Sequence, residues 1–471
     1  MDPGVETLLR EAVAHHHAGR LPQARAMYEQ ILRLDEKNPN ALNLLGMVHH
    51  QEGRHEHASE LVARAIAAAP SIPGFHNNLG TIRLAQRRCV DAENCFRRAI
   101  ELETGDYIEA VNNLGVSLMG QGKMDDAIRQ FLYAIEQKPA YPSARNNLGN
   151  ALRSKYLYRE AIACYRDAIA LKADHAEAWA NMGNALLEMR DLAGAEEAAR
   201  RAIALKPEAP SAYYTLGLAL EEAGRRDEAL EQYRAALKLA PNSSGLKFLL
   251  AALTGDQGSF PVAPTDFVAA LFHNYADTFD RHLVQTLNYR GPQLLHDAII
   301  AAKVNQRGPI DIADLGCGTG LCGPLLAPMA RTLVGVDLSA RMINQARTRG
   351  IYHDLLVDDI VTFLTARPNQ FDLAIAADVF EYFGDLLGVL SAASASLRAG
   401  GVLAFTLEKR VHGEGGYELQ PTRRYTHALG YIRSLLPAAK LREVSASEAA
   451  LRTQNKRDVI GLLVVLEKDV L

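Results

Sequence analysis

Six glycines recur through the first half of the chain at an almost constant spacing. They are Gly46, Gly80, Gly115, Gly149, Gly183 and Gly217, and the successive intervals are 34, 35, 34, 34 and 34 residues. A period of this length indicates units that cannot bury an apolar face alone, so each unit must stack on its neighbours. The spacing therefore predicts a solenoid of stacked units over this half of the chain.

Small and aromatic residues keep the same register in these units. Ala12 lies 34 residues before Gly46, which adds a degenerate first unit and makes about seven units in all. An alanine stands twelve positions after each of these seven residues: Ala24, Ala58, Ala92, Ala127, Ala161, Ala195 and Ala229. We expect the alanines where two helices approach closely, and Phe96, Tyr165 and Tyr233 in the gaps between neighbouring units. The pattern resembles the tetratricopeptide repeat, a helix–turn–helix of this length, and the resemblance implies an all-α right-handed solenoid.

Asparagines recur two positions before the repeat glycine in four consecutive units. They are Asn78, Asn113, Asn147 and Asn181. An asparagine side chain both donates and accepts, so a row of them is suited to the backbone of an extended peptide. A similar row is a feature of the repeats of O-linked N-acetylglucosamine transferases, which implies a protein or peptide partner in the concave groove. The competing interpretation is that asparagine, a mediocre helix former, is merely tolerated on an exposed face.

Neither the histidines nor the cysteines form a pattern that is typical of a metal site. Histidines crowd the first two units, but consecutive ones such as His15 and His16 point in different directions on a helix. The five cysteines have no metal-ligand spacing, and their odd number indicates reduced thiols. We therefore expect no metal, and solvated helix faces for the histidines.

A second glycine-rich segment follows an apolar run in the second half. The run at 310–315 is typical of a strand, and Gly316, Gly318 and Gly320 follow it directly. A second apolar run ends in Asp337, 21 positions after Gly316. Glycines at a strand-to-helix turn let a ligand approach the backbone, and an acid at the tip of the second strand is placed to accept hydrogen bonds from ribose hydroxyls. The two features predict a nucleoside-containing cofactor at the carboxyl edge of a parallel sheet.

The glycine spacing differs from the dinucleotide fingerprint, whose third glycine would fall at Leu321. The segment from Asp314 to Gly320 instead resembles motif I of class I S-adenosylmethionine-dependent methyltransferases, and the resemblance extends over residues 263–471. It implies an α/β Rossmann-like domain with a seven-stranded sheet of order 3-2-1-4-5-7-6, whose seventh strand is antiparallel. It also implies S-adenosyl-L-methionine as the cofactor.

The resemblance assigns cofactor-binding residues by their position in the motifs. They are Asp314, Gly316, Cys317, Gly318, Gly320, Asp337, Leu338, Met342, Asp359, Ile360 and Asp378. Asp337 matches the ribose-binding acid, and Asp359 with Ile360 matches the pair that faces adenine. Tyr275, on a helix ahead of the first strand, is expected to lie over the cofactor; alternatively, it only packs that helix onto the domain.

Candidates for the acceptor side follow from the expected sheet, because ligands bind beyond the carboxyl ends of its strands. We expect Tyr382 and Arg424 to contact the acceptor, and His427 and Tyr425 to be catalytic. His427 is the expected base because the pKa of a free imidazole is near neutrality. The competing interpretation is a structural or exposed loop residue, and a base is needed only if the acceptor arrives protonated. Strand four ends without the Asn/Asp-Pro-Pro-Tyr signature, so we do not expect methylation of planar amino groups.

Composition is typical of an ordinary folded protein rather than a nucleic-acid binder. The chain has 471 residues, 48% of them hydrophobic, and a formal net charge of −4. That charge makes a nucleic-acid partner an unfavourable interpretation. No apolar run is long enough for a membrane span, and the N-terminus lacks a basic segment before an apolar core, so we expect a cytoplasmic location.

The repeat period stops near Pro241, and turn-forming residues follow. We therefore expect a solenoid over 1–243, a capping helix and linker over 244–262, and a methyltransferase domain over 263–471. This architecture looks like the bacterial tetratricopeptide-repeat methyltransferases, and it implies that the solenoid recruits a protein that is, or carries, the methyl acceptor. Alternatives are a small-molecule, lipid or sugar methyltransferase whose repeats serve localisation or assembly, or a non-catalytic scaffold. No pattern specifies an oligomeric state.

Overall fold

The computed structural model describes residues 3–256, 259–281, 283, 287–304, 308–411, 415–454 and 457–469. The chain divides into two compact units, Met1–Leu239 and Ala240–Leu471. None of the helices in the described ranges combines the length and apolar character that a bilayer crossing requires.

The described part of the first unit consists of fourteen α-helices, which follow one another as seven pairs. They are α1 (Pro3–His17), α2 (Leu21–Leu34), α3 (Pro39–Gln51), α4 (His55–Ala68), α5 (Pro73–Ala85), α6 (Cys89–Leu102), α7 (Ile108–Gly120), α8 (Met124–Gln137), α9 (Pro142–Ser154), α10 (Tyr158–Leu171), α11 (Ala176–Glu188), α12 (Leu192–Leu205), α13 (Pro210–Glu222) and α14 (Arg226–Leu239). Proline opens α3, α5, α9 and α13, where its missing N–H is not needed and its fixed φ suits the helix. The all-α repeat architecture is confirmed.

At most of the repeat glycines, the second helix of the pair leaves no room for a side chain. A Cβ atom added to Gly80 would lie 2.6 Å from the ring of Phe96, and one on Gly149 would lie 2.5 Å from the ring of Tyr165. The seven repeat alanines are fully buried. Each ring thus packs on the glycine of its own repeat, because the sixteen-residue separation brings it back over the glycine within one pair of helices. Phe96 and Tyr165 also share buried clusters with Leu114 and Met182 of the next repeat, as the sequence analysis expected.

The second unit combines helices with a nine-stranded sheet. Its helices are α15 (Ser244–Thr254), α16 (Thr265–Arg281), α17 (Gly291–Ala301), α18 (Gly323–Leu326), α19 (Ala340–Thr348), α20 (Ile360–Thr365), α21 (Leu387–Ser396) and α22 (Leu429–Ala439). Its strands are β1 (Ile310–Leu315), β2 (Ala330–Asp337), β3 (Asp354–Val357), β4 (Phe371–Ala376), β5 (Leu397–Lys409), β6 (Tyr417–Leu419), β7 (Tyr425–His427), β8 (Leu441–Gln454) and β9 (Arg457–Lys468). Short 3₁₀ turns cover Ala327–Met329 and Phe380–Tyr382.

The sheet follows the predicted strand order with one addition. Strands β3, β2, β1, β4 and β5 are parallel neighbours, and β9 lies antiparallel between β5 and β8. The sixth and seventh strands of the expected order are β8 and β9 in the structure. With that numbering, the fold class and the order 3-2-1-4-5-7-6 are confirmed for seven of the strands. The expected count of seven is wrong, because a hairpin of β6 and β7 adds two short strands where β7 pairs with Glu408 and Lys409 at the end of β5. Its three-residue strands are too short to give a clear alternating pattern.

Helix α15 is the first helix of the second unit and packs against aromatic residues that follow it in the chain. Its first turn is capped by Ser243, and Gly255 ends it in a left-handed conformation. The buried ring of Phe248 lies edge-to-face with Phe260 and Phe267 at 5.5 and 5.1 Å between centroids. The segment after the helix is bound to the turn that follows β4, because Ala263 donates its N–H to the carbonyl of Tyr382 and Val262 forms a bridge with Phe383.

Candidate cofactor and acceptor site

The turn after β1 brings three glycines into left-handed backbone conformations. The φ angles are 63° at Gly316, 54° at Gly318 and 82° at Gly320, a region that side chains with a Cβ rarely adopt. A Cβ on Gly316 would meet Val379 at 2.6 Å, so this glycine allows the turns after β1 and β4 to touch. At Gly318 the nearest atom would belong to Phe279, at 3.7 Å. The backbone is thus approachable at Gly318 and tightly packed at Gly316.

Asp337, the last residue of β2, is held against this glycine turn. Its Oδ2 accepts from the N–H of Gly318 at 3.0 Å, and its Oδ1 accepts from the N–H of Ser339 at 2.8 Å. Burial raises the pKa of this carboxyl to about 6, while the two N–H donors lower it. Each oxygen retains a further lone pair. The side chain is therefore fixed, mostly shielded from water and still able to accept from a ligand hydroxyl.

The other predicted residues around the turn are buried by the fold. Asp314 accepts from the hydroxyl of Tyr352 at 2.6 Å, and burial raises the pKa of Asp314 to about 7. Cys317 is buried and donates its N–H to the carbonyl of Val336 at 3.0 Å. Met342 is fully buried in the first turn of α19. Their grouping around one turn supports the motif assignment, and their contact with a cofactor stays a prediction.

Both residues of the predicted adenine pair, Asp359 and Ile360, also have a place in the fold itself. Asp359 caps α20, because its Oδ1 accepts from the N–H groups of Val361 and Thr362 at 3.0 Å each. Ile360 is buried in the core beside α21. Leu338 lies partly buried in an apolar cluster with Tyr382. The side chain of Tyr275 lies outside the described residues, so its expected place over the cofactor stays a prediction.

A charged cluster occupies the carboxyl ends of β4 and β5. Arg452 donates to Asp378 at 2.7 Å and also pairs with Glu408. Arg424 lies 3.2 Å from Glu408, measured from Nη1 to Oε1. The sequence analysis missed Arg452 and did not connect it with Asp378, because the two are 74 residues apart and meet only through the sheet. The available signal was an arginine within the long strand β8.

Glu381 is the second functional candidate that the sequence analysis missed. It lies in the 3₁₀ turn after β4 and is completely buried. Arg424 Nε lies 3.2 Å from its Oε1, but neither carboxylate oxygen has a hydrogen-bond partner in the described part of the chain. Burial is the main cause that raises the pKa of Glu381 well above the usual range, and the charge of Asp378 adds to it. A glutamate between two aromatic residues, Phe380 and Tyr382, was the available signal.

The two predicted acceptor contacts, Tyr382 and Arg424, are brought together. Arg424 Nε donates to the hydroxyl of Tyr382 at 3.4 Å, and the guanidinium lies 5.9 Å from the centre of the same ring. The ring of Tyr382 is edge-to-face with Phe272 of α16 at 5.5 Å. These two residues therefore lie in one cluster with Glu381.

The two predicted catalytic residues lie on β7 and have contacts within the fold. His427 is buried, with Nε2 3.1 Å from the carbonyl of Gly384 and its ring stacked on Tyr431 at 6.3 Å. Burial lowers the pKa of His427 to about 4, well below the neutral value on which its assignment as a base rested. Tyr425 donates its hydroxyl hydrogen to the carbonyl of Phe260 at 2.7 Å. Their catalytic roles stay predictions.

In the first unit, the predicted asparagine row forms hydrogen bonds between successive units. Each of the four donates its Nδ2–H to a buried asparagine of the preceding unit, over 3.0 to 3.1 Å: Asn78 to Asn43, Asn113 to Asn77, Asn147 to Asn112, and Asn181 to Asn146. The acceptors stand three positions before the repeat glycine, a second row that the sequence analysis missed. These bonds thus hold successive repeats of the solenoid together, and binding of a peptide by the row stays a prediction.

Across the described ranges, no three histidine, cysteine or acidic side chains are grouped as a metal site.

Comparison with protein families assigns both units. The model described as "Methyltransferase domain" matches residues 313–403, which include the glycine turn, Asp337 and the turn after β4. The model described as "Tetratricopeptide repeat" matches residues 9–73, 77–144, 112–176 and 180–244. The chain carries tetratricopeptide repeats followed by a methyltransferase domain.

Relatives of this tetratricopeptide-repeat methyltransferase chain match parts of it. A malonyl-[acyl-carrier protein] O-methyltransferase of Pseudescherichia vulneris is 30% identical over 139 residues, covering 30% of this chain and 52% of that protein. A ubiquinone biosynthesis O-methyltransferase of Thiobacillus denitrificans is 28% identical over 165 residues, covering 32% and 69%. The chain thus spans about half the length of the first relative. The crystal structure of the APC/C hetero-tetramer Cut9-Hcn1 has a TM-score of 0.46 at 16% identity, covering 51% of this chain and 48% of that chain.

The residues of the methyltransferase domain fit S-adenosyl-L-methionine, the cofactor that such a domain implies. At Gly318 a Cβ would meet only the ring of Phe279, at the contact distance of 3.7 Å, and Asp337 accepts two N–H groups with lone pairs to spare. A ribose has the two hydroxyl donors that such a carboxylate can accept.

Proposed function

We propose that this protein is an S-adenosyl-L-methionine-dependent O-methyltransferase whose repeats recruit a protein that is, or carries, the methyl acceptor. The observation that carries the proposal is the Asp337 carboxylate held against the N–H of Gly318 in the glycine turn. Two relatives that match the chain are named as O-methyltransferases, which supports an oxygen acceptor. One of them is named for an acceptor attached to a carrier protein, which supports a protein-carried group.

Each group around the glycine turn has a distinct part in this proposal. The backbone at Gly316, Gly318 and Gly320 contacts the cofactor closely, and Asp337 accepts from its ribose. Asp314 and Cys317 fix the turn, and Asp378 lies at the acceptor edge. The apolar side, formed by Leu338, Met342 and Ile360 with Asp359 and Tyr275, contains the adenine. When bound, the cofactor supplies an activated methyl group, so the protein's task is mainly to position the acceptor in line with it.

Acceptor delivery is the part of the proposal that involves the solenoid. In Asn78 and Asn147, the Nδ2 group makes the bond to the preceding repeat, and a peptide N–H is a suitable donor for the side-chain oxygen of the same residue. The alternative is a free small-molecule or lipid acceptor, with repeats used for localisation or assembly; the name of the ubiquinone relative favours it.

All five cysteines are unpaired, which supports the proposed cytoplasmic location.

One experiment tests both parts. The full-length chain and Asp337→Ala are each incubated with methyl-labelled S-adenosylmethionine and a cell extract, which is then separated into protein and small-molecule fractions. Label in the protein fraction, absent with Asp337→Ala, supports the leading proposal, and label among small molecules supports the alternative. If calorimetry detects no S-adenosylmethionine binding by the full-length protein, the proposed function is wrong.

A further inference from the structure

Two histidines at the turn between α3 and α4 face each other through the same ring nitrogen. Nδ1 of His50, in the last turn of α3, lies 3.2 Å from Nδ1 of His55, the first residue of α4. The ring centres are 5.0 Å apart, so the Nδ1 edges are the parts that approach each other. Among the described residues, neither ring has another hydrogen-bond partner. Both side chains are only half-buried, so solvent reaches this part of the repeat.

The separation of the two nitrogens suits a shared transition-metal ion. Imidazole nitrogen binds such an ion at about 2.0–2.1 Å, and a tetrahedral arrangement then places two ligating nitrogens about 3.3 Å apart. The 3.2 Å between His50 and His55 is close to that spacing, so the rings need little movement to share an ion. In the bound state each ring carries its hydrogen on Nε2, and both Nδ1 lone pairs point at the ion.

Backbone hydrogen bonds fix the turn that carries the pair. Gly53 adopts a left-handed φ of 80°, and its N–H donates to the carbonyl of His50 at 3.0 Å. The N–H of Arg54 donates to the carbonyl of His49 at 2.9 Å. The carboxylate of Glu52 pairs with the guanidinium of Arg54, which offsets the positive charge of the turn. Ligands held in place by a rigid backbone lose less entropy when an ion binds.

The histidine pair stands where other repeats have apolar residues. In three of them the corresponding pairs are Leu84 and Cys89, Met119 and Met124, and Leu187 and Leu192. The helix pair therefore packs at this place without any imidazole, so packing alone does not account for the two rings. The sequence analysis expected no metal because consecutive histidines diverge on a helix, whereas His50 and His55 come from two different helices.

We propose that His50 and His55 bind one divalent transition-metal ion of the class that prefers imidazole nitrogen, such as Zn²⁺ or Cu²⁺. Magnesium and calcium are excluded from this class because they take oxygen ligands. Water completes the coordination of the ion, since no third histidine, cysteine or acidic side chain joins a metal-binding group in the described part of the chain. The ion joins α3 to α4 and so stabilises the second repeat of the solenoid. This site does not depend on the proposed methyl transfer.

The test uses Cu²⁺ with the full-length protein, because Cu²⁺ is the divalent first-row ion that such ligands bind most tightly. The pH is kept above the usual imidazole pKa of about 6.5, so that free rings are neutral. Paramagnetic resonance of wild type with one equivalent of Cu²⁺ should show two bound nitrogens. Calorimetry should show Cu²⁺ binding at least about tenfold weaker in His50→Gln and in His55→Gln. His76→Gln, which removes an imidazole of the next repeat bonded to the carbonyl of Pro70, is the matched control and should bind as wild type.

Two results would overturn the site. One is a wild-type spectrum without two bound nitrogens, and the other is an affinity for Cu²⁺ that stays the same in His50→Gln and His55→Gln. If a glutamine variant does not fold by circular dichroism, the double variant His50→Leu with His55→Leu decides instead, because it copies the pair Leu187 and Leu192 that packs in another repeat. The double variant should bind Cu²⁺ as weakly as the single ones, and wild-type affinity in it would equally refute the proposal.

Discussion

The N–H of Gly318 donates to Oδ2 of Asp337 over 3.0 Å and ties the turn after β1 to the end of β2. The bond joins the approachable glycine and the acid predicted to bind ribose, 19 residues apart in the chain. Because Ser339 holds the other oxygen, the carboxylate is fixed before any ligand arrives. A ligand therefore does not have to order this side chain, which lowers the entropic cost of binding.

Asp337→Ala should weaken the binding of S-adenosylmethionine by about 1.5–3 kcal/mol, the usual worth of a hydrogen bond to a charged group. Titration calorimetry on the full-length protein measures the change. Asp297→Ala, which alters an exposed acid on α17, is the control and should bind as wild type. Unchanged affinity in Asp337→Ala would place the ribose elsewhere.

Cofactor binding should strengthen as the pH rises through about 6. The pKa of Asp337 is raised to about 6 by burial, and only its ionised form accepts from both ribose hydroxyls. Below that pH, binding must displace a proton, so the dissociation constant should increase on acidification and level off above neutrality. Calorimetry in buffers of different ionisation enthalpy should detect proton release on the acid side. A flat profile in which no proton is released would contradict this assignment.

Gly149→Ala should destabilise the solenoid by about 1–3 kcal/mol, because the new methyl group overpacks the core. Its Cβ would stand 2.5 Å from the ring of Tyr165. Gly183→Ala is the matched control, since its nearest atom would be 3.4 Å away, on Thr215. There the substitution should be neutral or slightly stabilising, because alanine favours a helix more than glycine does. Chemical denaturation compares the two, and equal effects would refute the packing argument.

The asparagine pairs should show energetic coupling across units. Removing Asn147 leaves the buried oxygen of Asn112 without its donor, so Asn147→Ala should cost about 1–3 kcal/mol. In a double-mutant cycle, Asn112 and Asn147 should be coupled, whereas Asn43 and Asn147, which lie three repeats apart, should be additive. Additivity in both cycles would show that the bonds contribute nothing to cohesion.

His427 should make the domain less stable in acid. Burial lowers its pKa from 6.5 to about 4, so the unfolded chain binds more protons than the folded one in this range. The free energy of unfolding should therefore fall as the pH drops from 6.5 towards 4. His427→Gln should show a smaller fall in thermal unfolding experiments. A slower turnover of this variant at saturating cofactor would support the predicted base, and a normal rate would leave His427 a structural role.

The repeat architecture could be predicted because its cause is local and repeated. A glycine in one helix and a ring sixteen residues later, such as Gly80 and Phe96, meet within a single pair of helices. The sheet of the second unit was predictable for a similar reason, since its parallel strands are mostly apolar segments. The hairpin of β6 and β7 was not, because three-residue strands have no measurable period.

At the site, the sequence by itself determined that the glycine turn meets Asp337, because Gly316, Gly318 and Asp337 lie in consecutive strand-and-turn segments. Only the tertiary structure decided the charged cluster at the ends of β4 and β5. Arg452 meets Asp378 because β8 pairs with β9, which in turn pairs with β5, and no spacing in the chain encodes that contact. The same is true of burial: the lowered pKa of His427 and the raised pKa of Glu381 arise because packing removes water from both side chains. Desolvation depends on neighbours brought in from the whole chain, so it becomes visible only when the fold is complete.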